Sequence, residues 1–560
     1  MKKKVLLTVL SAIFVVAGCL GLSSCKKDLQ ALDTPSNIKM ENRVLTWDAV
    51  ENASEYILLI NGKEYTVTEP RLELYTIAKE GEFHLKLMAG GDGKTYEDSS
   101  WATSAFTLEA PIEHGFDKEG FEYTFLEDGS GYEVAKGTAN LEGFVSIPDY
   151  FDGYPVVRIA HHGFTLGNPD DQIATSILLD QDCNYITTGI KLPAFLRSIE
   201  NTAFVAIVYL TEIVLPTTVN KLGQRSFADN MNLKRIVIPE GVKEIPLACF
   251  ENTGLEEIIL PEGLERIDRL AFQCKTVSYG PRYHISSNLT EIVIPDSVTH
   301  IERSAFQGRE NLTKITMSKN IEFIGEETFA DTAWLAAQNG LVYFNDSILY
   351  TYAGNMPEHT ELVLPDKTTQ ICNYAFKGQK NLEKVVIPDG VQLGNESFKS
   401  CTALKEVQLP SDLTLIPHGA FANTGIESIT IPSSVKVIAP SAFFSCRSLK
   451  EVILNEGLEC IGHNAFKSCE NLTTVHFPST LKVIAKYAFT FCDALTEVTF
   501  ENEEGWADYV VVTENSVRTL SPIDGDATPV DNIPALTAST APNWICGNPD
   551  DAMEYIGYLV

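Results

Sequence analysis

The side chains able to do chemistry are plentiful, but few of them are arranged to do it. The chain has 560 residues, with 12 cysteines, 10 histidines and 75 carboxylates. Five cysteines fall just after a recurring phenylalanine. Cys274 follows Phe272 by two residues; Cys401, Cys446, Cys469 and Cys492 follow Phe398, Phe443, Phe466 and Phe489 by three. Thiols one repeat apart do not converge into a tetrahedron, and no Cys-x-x-Cys pair occurs. The pattern therefore predicts buried, reduced thiols packed as small hydrophobes. Disulfides between adjacent rungs are the second reading for an oxidising compartment. His161-His162 reads as a solvated pair. Asp524-Gly525-Asp526 with Asp531 lacks the spaced acids and bidentate Glu of a calcium loop. No His-Glu-x-x-His, Gly-x-Ser-x-Gly or phosphate-binding glycine loop appears. No catalytic residue, cofactor or metal is expected, and the chain reads as a non-enzyme. A formal net charge of −32 excludes nucleic acid as a partner, because that binding needs Lys and Arg to displace counterions.

The elements that position these residues repeat. The marker is Phe204, Phe227, Phe250, Phe272, Phe306, Phe329, Phe376, Phe398, Phe421, Phe443, Phe466 and Phe489. Most neighbours are 22 or 23 residues apart, with two longer gaps, before Phe306 and before Phe376. A period in the twenties predicts a solenoid, one turn of chain stacked on the next. Each turn opens with Leu-x-x-Ile-x-Ile-Pro, as at Leu289, Ile292, Ile294 and Pro295. Its β-branched alternation reads as a short strand with one face inward, and Pro, lacking an N–H, ends it. Each turn closes with Val-x-x-Ile-x-x-x-Ala-Phe, as at Val298, Ile301, Ala305 and Phe306. There the Ile turns the chain back into the core, and a tight turn delivers Phe beside a small residue.

This phrase resembles the bacterial leucine-rich repeat of about 23 residues found in BspA-like surface antigens, from roughly Gly131 to Phe500. The resemblance implies a mainly β fold: a leucine-rich repeat solenoid with a parallel sheet and short or helical turns. It also implies attachment to host proteins or to other bacteria, with the solenoid as the recognition surface.

The chain starts Met-Lys-Lys-Lys and runs apolar from Val5 to Val16, the pattern of a secretory signal and too short for a comfortable membrane span. Val16-Ala17-Gly18-Cys19 and Leu22-Ser23-Ser24-Cys25 both resemble the lipobox of bacterial lipoproteins. Cys25 is preferred, because cleavage there leaves the polar Lys26-Lys27-Asp28 beside the lipid; Cys19 is the alternative. The expected location is extracytoplasmic, on the cell surface, touching the membrane only through the lipid anchor. Residues 1–24 are then the signal, 25–32 a tether, and 33–109 a small β-sandwich of about seven strands with a hairpin at Asn61-Gly62. Trp47-Asp48-x-Val50 followed by Ala53-x-x-Tyr56 resembles a fibronectin type III domain, with Phe83 where that family usually has Tyr. Residues 110–130 read as linker, 131–203 as degenerate capping repeats, 204–500 as the regular repeats, and 501–560 as C-terminal cap and tail.

Two surfaces are candidates for binding. In Leu-x-x-Ile-x-Ile-Pro both Ile face the core, so the residue between them faces out. That column reads Val214, Val237, Ile259, Val293, Thr316, Val363, Val386, Gln408, Thr430, Ile453, His476 and Thr499, mostly apolar in its first half and mostly polar in its second. The column two residues earlier is largely charged and includes Arg235 and Glu257. An apolar stripe flanked by charge suits a host or bacterial surface protein, with a glycan as second candidate; plain β-propensity is the bland alternative. The other surface is the pair of inserts, 273–288 and 330–358. There Tyr279, Tyr283, Tyr343 and Tyr350 could stack on sugars, which would make the chain a glycan-utilisation component or an enzyme. A hairpin pushed out of the repeat is expected at Leu341–Phe344 and Ile348–Tyr350.

Overall fold

The computed structural model describes residues 29–41, 43–77, 80–165, 186–274, 288–502, 506–514, 517–522, 536–537, 543–546, 555 and 557–558. Two compact units account for them, one reaching Pro111 and one from Ile112 onward; Asp152–Tyr154 groups with the first.

In the first unit Asn61 and Gly62 both have positive φ, 48° and 84°. That is the backbone a two-residue hairpin turn needs to match the twist of its strands. It joins Glu55–Ile60 to Lys63–Val67, and Gly81–Gly90 and Ala102–Leu108 complete a four-stranded antiparallel sheet. Lys39–Glu41, Val44–Thr46 and Arg71–Glu73 form a three-stranded antiparallel sheet. Alternation along Glu55–Ile60 sends Tyr56, Leu58 and Ile60 inward to meet Leu45, Trp47, Leu85 and Leu87 in one core. Trp47 packs edge-on to Tyr56 at 5.3 Å, and the Tyr56 hydroxyl accepts the Val50 N–H at 2.8 Å.

The second unit is a solenoid with three ladders. The first is a parallel sheet built from the Ile-x-Ile phrase. Five of its strands concern us: β1 (Glu212–Val214), β2 (Arg235–Val237), β3 (Glu257–Ile259), β4 (Glu291–Val293) and β5 (Lys314–Thr316). The second ladder was not expected. The Val-x-x-Ile phrase also forms parallel strands, two residues long, such as Glu244–Ile245, Arg266–Ile267, His300–Ile301 and Phe323–Ile324. The third runs through the Phe turns. From Phe204 to Phe489 the residue two before Phe is left-handed, and so is the residue two after it except at Phe272, as in Arg225 and Asp229 around Phe227, and Ala248 and Asn252 around Phe250. A non-glycine residue there costs roughly 1–2 kcal/mol. The geometry persists because it aims N–H groups at the next rung. Arg225, Phe227 and Asp229 donate to the carbonyls of Leu247, Cys249 and Glu251 at 2.9, 3.0 and 2.8 Å.

These turns set the Phe rings in a column. Centroids are 5.4 Å apart with planes within 7° from Phe227 to Phe250 and from Phe250 to Phe272, and the spacing is 5.1 Å from Phe443 to Phe466 and from Phe466 to Phe489. The column begins earlier than the sequence suggested, with Phe164 5.3 Å from Phe204. Three residues after Phe most turns carry a side-chain hydrogen-bond donor. Thr253, Thr332 and Thr424 donate to the carbonyl of their own Phe at 2.7–2.8 Å, Ile207 is apolar, and others reach the ring-bearing residue of the rung before. Asn230 Nδ2 donates to Phe204 O at 2.8 Å, and Cys401, Cys446, Cys469 and Cys492 donate Sγ–H to Phe376, Phe421, Phe443 and Phe466 O at 3.0–3.3 Å. The four cysteines are buried and unbridged, and they are donors as well as small hydrophobes. Arg309 takes the same position after Phe306 and is fully buried. Its Nε donates to Phe272 O at 2.6 Å, Nη1 to Thr253 O at 2.7 Å, and Nη2 to Phe250 O at 3.1 Å and Thr253 Oγ1 at 3.0 Å. Burial pulls its pKa below the ordinary value, with Cys274 opposing.

Three expectations are corrected. The linker at 110–130 contains strands His114–Phe116 and Glu122–Phe125, an antiparallel pair laid on Tyr132–Ala135 that closes the second ladder. The hairpin at Gly340–Phe344 and Ile348–Ala353 is not pushed out: it joins that same ladder, and Val342, Phe344, Ile348, Leu349 and Tyr350 are buried. It supplies the rung missing before Phe376. Tyr352 takes the Phe place, its N–H donating to Ala375 O at 2.9 Å, while the Tyr350 hydroxyl accepts the Phe329 N–H at 2.9 Å, where other turns offer a carbonyl. Tyr350 is thus a core residue and not an exposed ligand contact. At the far end, Asn543–Cys546 pairs antiparallel with Val483–Ile484 and continues into Trp506–Glu514 and Val517–Pro522.

Candidate binding face

The first sheet presents the outward columns, because β1 to β4 each alternate exposed, buried, exposed. Ile213, Ile236, Ile258 and Ile292 anchor the sheet inward. Val214, Val237, Ile259 and Val293 stand outward with 69, 41, 42 and 52% of their surface exposed. Further down, Thr316, Gln408, Thr430, His476 and Thr499 are exposed and polar, and only Val363 and Ile453 break the run as exposed large hydrophobics.

The charged column is a ladder of ion pairs between neighbouring rungs. Arg235 Nε meets Glu257 at 2.7 Å, Lys314 meets Glu291 at 2.9 Å and Lys384 meets Glu406 at 2.6 Å; one residue before the column, Lys450 meets Glu427 at 2.9 Å. The hydrogen bond from Lys450 holds the Glu427 carboxyl below the usual range, and that to Glu406 lifts Lys384 above its own. Arg235 and Glu257 therefore bind each other, and both are exposed, so their net contribution to stability is small.

The sheet is not uniform. β2 pairs with β3 and β4 with β5, but the ladder lapses between β1 and β2 and again between β3 and β4. Between β3 and β4 opens a groove of about 430 Å³ lined by Glu256, Glu257, Ile259, Leu260, Glu262 and Glu291, with Thr290, Val293 and Pro295 completing it. A smaller depression of about 240 Å³ lies at the start of the sheet, where Phe144, Ile190, Leu192, Val214 and Pro216 meet Lys191 and Glu212. Phe144, 66% exposed, was missed in the sequence. Its ring lies against Gly189, where a Cβ would stand 2.7 Å from it. The signal was available: reading alternation back from the buried Val145 makes Phe144 outward.

The described insert aromatics, Trp334, Tyr343 and Tyr350, do not form an open site together. Tyr350 is buried. Tyr343 is half-buried, its hydroxyl 2.9 Å from Thr368 Oγ1. Trp334 stacks on the buried Phe344 at 5.4 Å. Tyr279, Tyr283, Cys19, Cys25, Asp524, Asp526 and Asp531 lie outside the described residues.

Residues 181–279, 280–339, 347–424 and 414–505 match the sequence profile described as BspA type Leucine rich repeat region. Among solved structures the chain is similar to a leucine rich cell surface protein from Faecalibacterium prausnitzii, at 21% identity, covering 71% of this chain and 96% of that one, with a TM-score of 0.36. It is similar to a leucine-rich repeat protein from Bacteroides ovatus, at 22% identity, covering 69% and 100%, with a TM-score of 0.35. It is also similar to the pneumococcal vaccine antigen PcpA, at 18% identity, covering 69% and 94%, with a TM-score of 0.36. No curated protein matches.

Proposed function

The chain belongs to the BspA-type leucine-rich repeat family, and from that premise we propose that it is a surface-anchored binding protein. Its partner, a host or bacterial surface protein, docks on the first sheet between Val214 and Val293. One observation carries this reading: four consecutive outward positions are aliphatic and 41–69% exposed, although nothing in the stack requires them to be apolar. A contiguous exposed apolar stripe with a charged rim is the composition of a protein-docking patch. A glycan is the less favoured ligand, because Tyr350 and Phe344 of the 330–358 insert are spent in the core and leave fewer rings for sugar stacking. Acylation at Cys25, with Cys19 as the alternative, anchors the chain outside the cytoplasm. The first unit, read as fibronectin type III-like, spaces the solenoid from the membrane.

The test is Val237→Lys with Ile259→Lys. Both side chains point away from the core, so the melting temperature stays within about 2 °C while capture of host or bacterial surface proteins falls. A large loss of stability, or unchanged binding of a partner identified with the parent chain, sinks the assignment.

A further inference from the structure

We propose that the partner enters the break between β3 and β4 with a basic side chain, so that this face selects a Lys- or Arg-bearing polypeptide segment flanked by aliphatic residues. The inference rests on the reading of this sheet as a docking surface and names what docks there.

The groove has an aliphatic side, where Ile259 and Val293 flank it with Leu260 and Pro295 behind them, and a polar side of glutamates. Its charges decide the occupant. Along the outward charged column the neighbours Glu212, Arg235, Glu257, Glu291 and Lys314 alternate in sign except at one step. That step is Glu257 to Glu291, and it coincides with one of the two breaks in the ladder from β1 to β5 and with the groove. The cations that pair with these two acids lie on the far flanks, Arg235 on β2 and Lys314 on β5. Glu256 likewise pairs backward, with Lys234 at 2.9 Å. Among the described residues the charged side chains lining the groove are thus Glu256, Glu257, Glu262 and Glu291, without a Lys or Arg.

Like charges side by side on a sheet repel, and at the two flanking steps, Arg235 to Glu257 and Glu291 to Lys314, the chain supplies the opposite charge. A guanidinium or ammonium placed between Glu257 and Glu291 restores the alternation. Its methylene stem lies along Ile259 and Val293, as long basic side chains do on apolar surface. A guanidinium's fork of donors can serve two carboxylates at once. The net charge of −32 draws a basic segment toward the sheet over a longer range.

The experiment exposes the immobilised full-length chain to a randomised hexapeptide library and sequences what is retained. Retained peptides are expected to be enriched at least about tenfold in Arg or Lys between aliphatic residues. The enrichment weakens in high salt, as an exposed ion pair must. It disappears in the Glu257→Gln, Glu291→Gln variant, whose melting temperature matches the parent's. Retained peptides without basic residues, lost in Val237→Lys with Ile259→Lys, would keep the docking face and overturn the basic contact. No retention at all overturns both. Calcium that raises the parent's melting temperature but not the double variant's assigns the acids to a metal ion instead. Basic-peptide binding seen only in a Lys275→Ser, Arg282→Ser variant assigns the groove to the chain's own 275–287 segment, and also overturns the proposal.

Discussion

Replacing Arg309 by Met tests whether the donor column holds the stack together. The guanidinium is fully buried, and its four hydrogen bonds run to uncharged oxygens on two earlier rungs. Met fills similar space and removes all four. Phe250 O keeps a donor, the Thr253 hydroxyl at 2.8 Å. Phe272 O and Thr253 O lose theirs, and each buried acceptor left bare costs about 1–3 kcal/mol, so about 2–6 kcal/mol in all. Opposing this, a buried cation disappears, and its desolvation is worth several kcal/mol. The hydrogen bonds win, because four bonds from a charged donor contribute about 1.5–3 kcal/mol each and already offset that desolvation in the native protein. Gln is the informative intermediate. Gln379 holds the same position after Phe376 and reaches one rung back, to Tyr352 O at 3.4 Å. Arg309→Gln should therefore keep the Phe272 contact, bare only Thr253 O, and cost about 1–3 kcal/mol. The assay is native-state hydrogen exchange at the Phe250, Phe272 and Phe306 amides, which donate between rungs. Stacked repeats can open locally, so exchange at those rungs is more direct than one global midpoint. Met variants as protected as the parent would refute the reasoning, as would a Gln variant no better than Met.

Two other outcomes are expected. Burial pushes the thiols of Cys249, Cys372 and Cys401 up to about 12 and that of Cys446 to about 11, from an ordinary value near 9. A pKa raised on folding gives stability that is whole below pH 9 and is lost as pH climbs through 11–12. Urea midpoints should therefore fall more steeply above pH 9 in the parent than in a Cys401→Ser, Cys446→Ser variant; equal slopes would count against buried neutral thiols. Cys25→Ser should release the chain from membranes while Cys19→Ser leaves it bound, and the reverse pattern in fractionated cells moves the acylation to Cys19.

The solenoid was legible because its core columns repeat by residue type. Phe, the small residue before it and the two Ile recur at fixed spacing, and alternation about the Ile places Val214 to Val293 outward without any structure. What stayed hidden depends on backbone shape or on unlike residues doing one job. The left-handed positions around Phe are filled by Arg, Ala, Leu, Ser and Asp, so no residue type marks them. The donor position holds Asn, Thr, Arg, Gln and Cys, and only the cysteines stood out. Tyr352 escaped notice because the column was traced by Phe alone. The second ladder escaped because two-residue strands are too short to show a period. The groove at β3 and β4 was half visible: both glutamates stood in the outward column, but that the ladder lapses between them is a property of the fold.

The division of labour within each turn explains why the outward face can carry meaning. Stacking energy resides in the Ile, Phe and donor columns, all of which point inward or lie between rungs. The outward position between the two Ile residues is free of those demands, since Thr430 and His476 serve there as well as Val237 does. β-Propensity favours Val and Ile at such a position, yet it acts equally on every rung. It therefore does not explain why the four strands from Val214 to Val293 are uniformly aliphatic while the later ones mix Thr, Gln and His with Val363, Val386 and Ile453. Nor does it bear on Glu257 and Glu291, where the neighbouring column abandons opposite-charge pairing. Two independent columns depart from what stacking needs over the same stretch of sheet, which is the pattern a partner would impose and the stack alone would not.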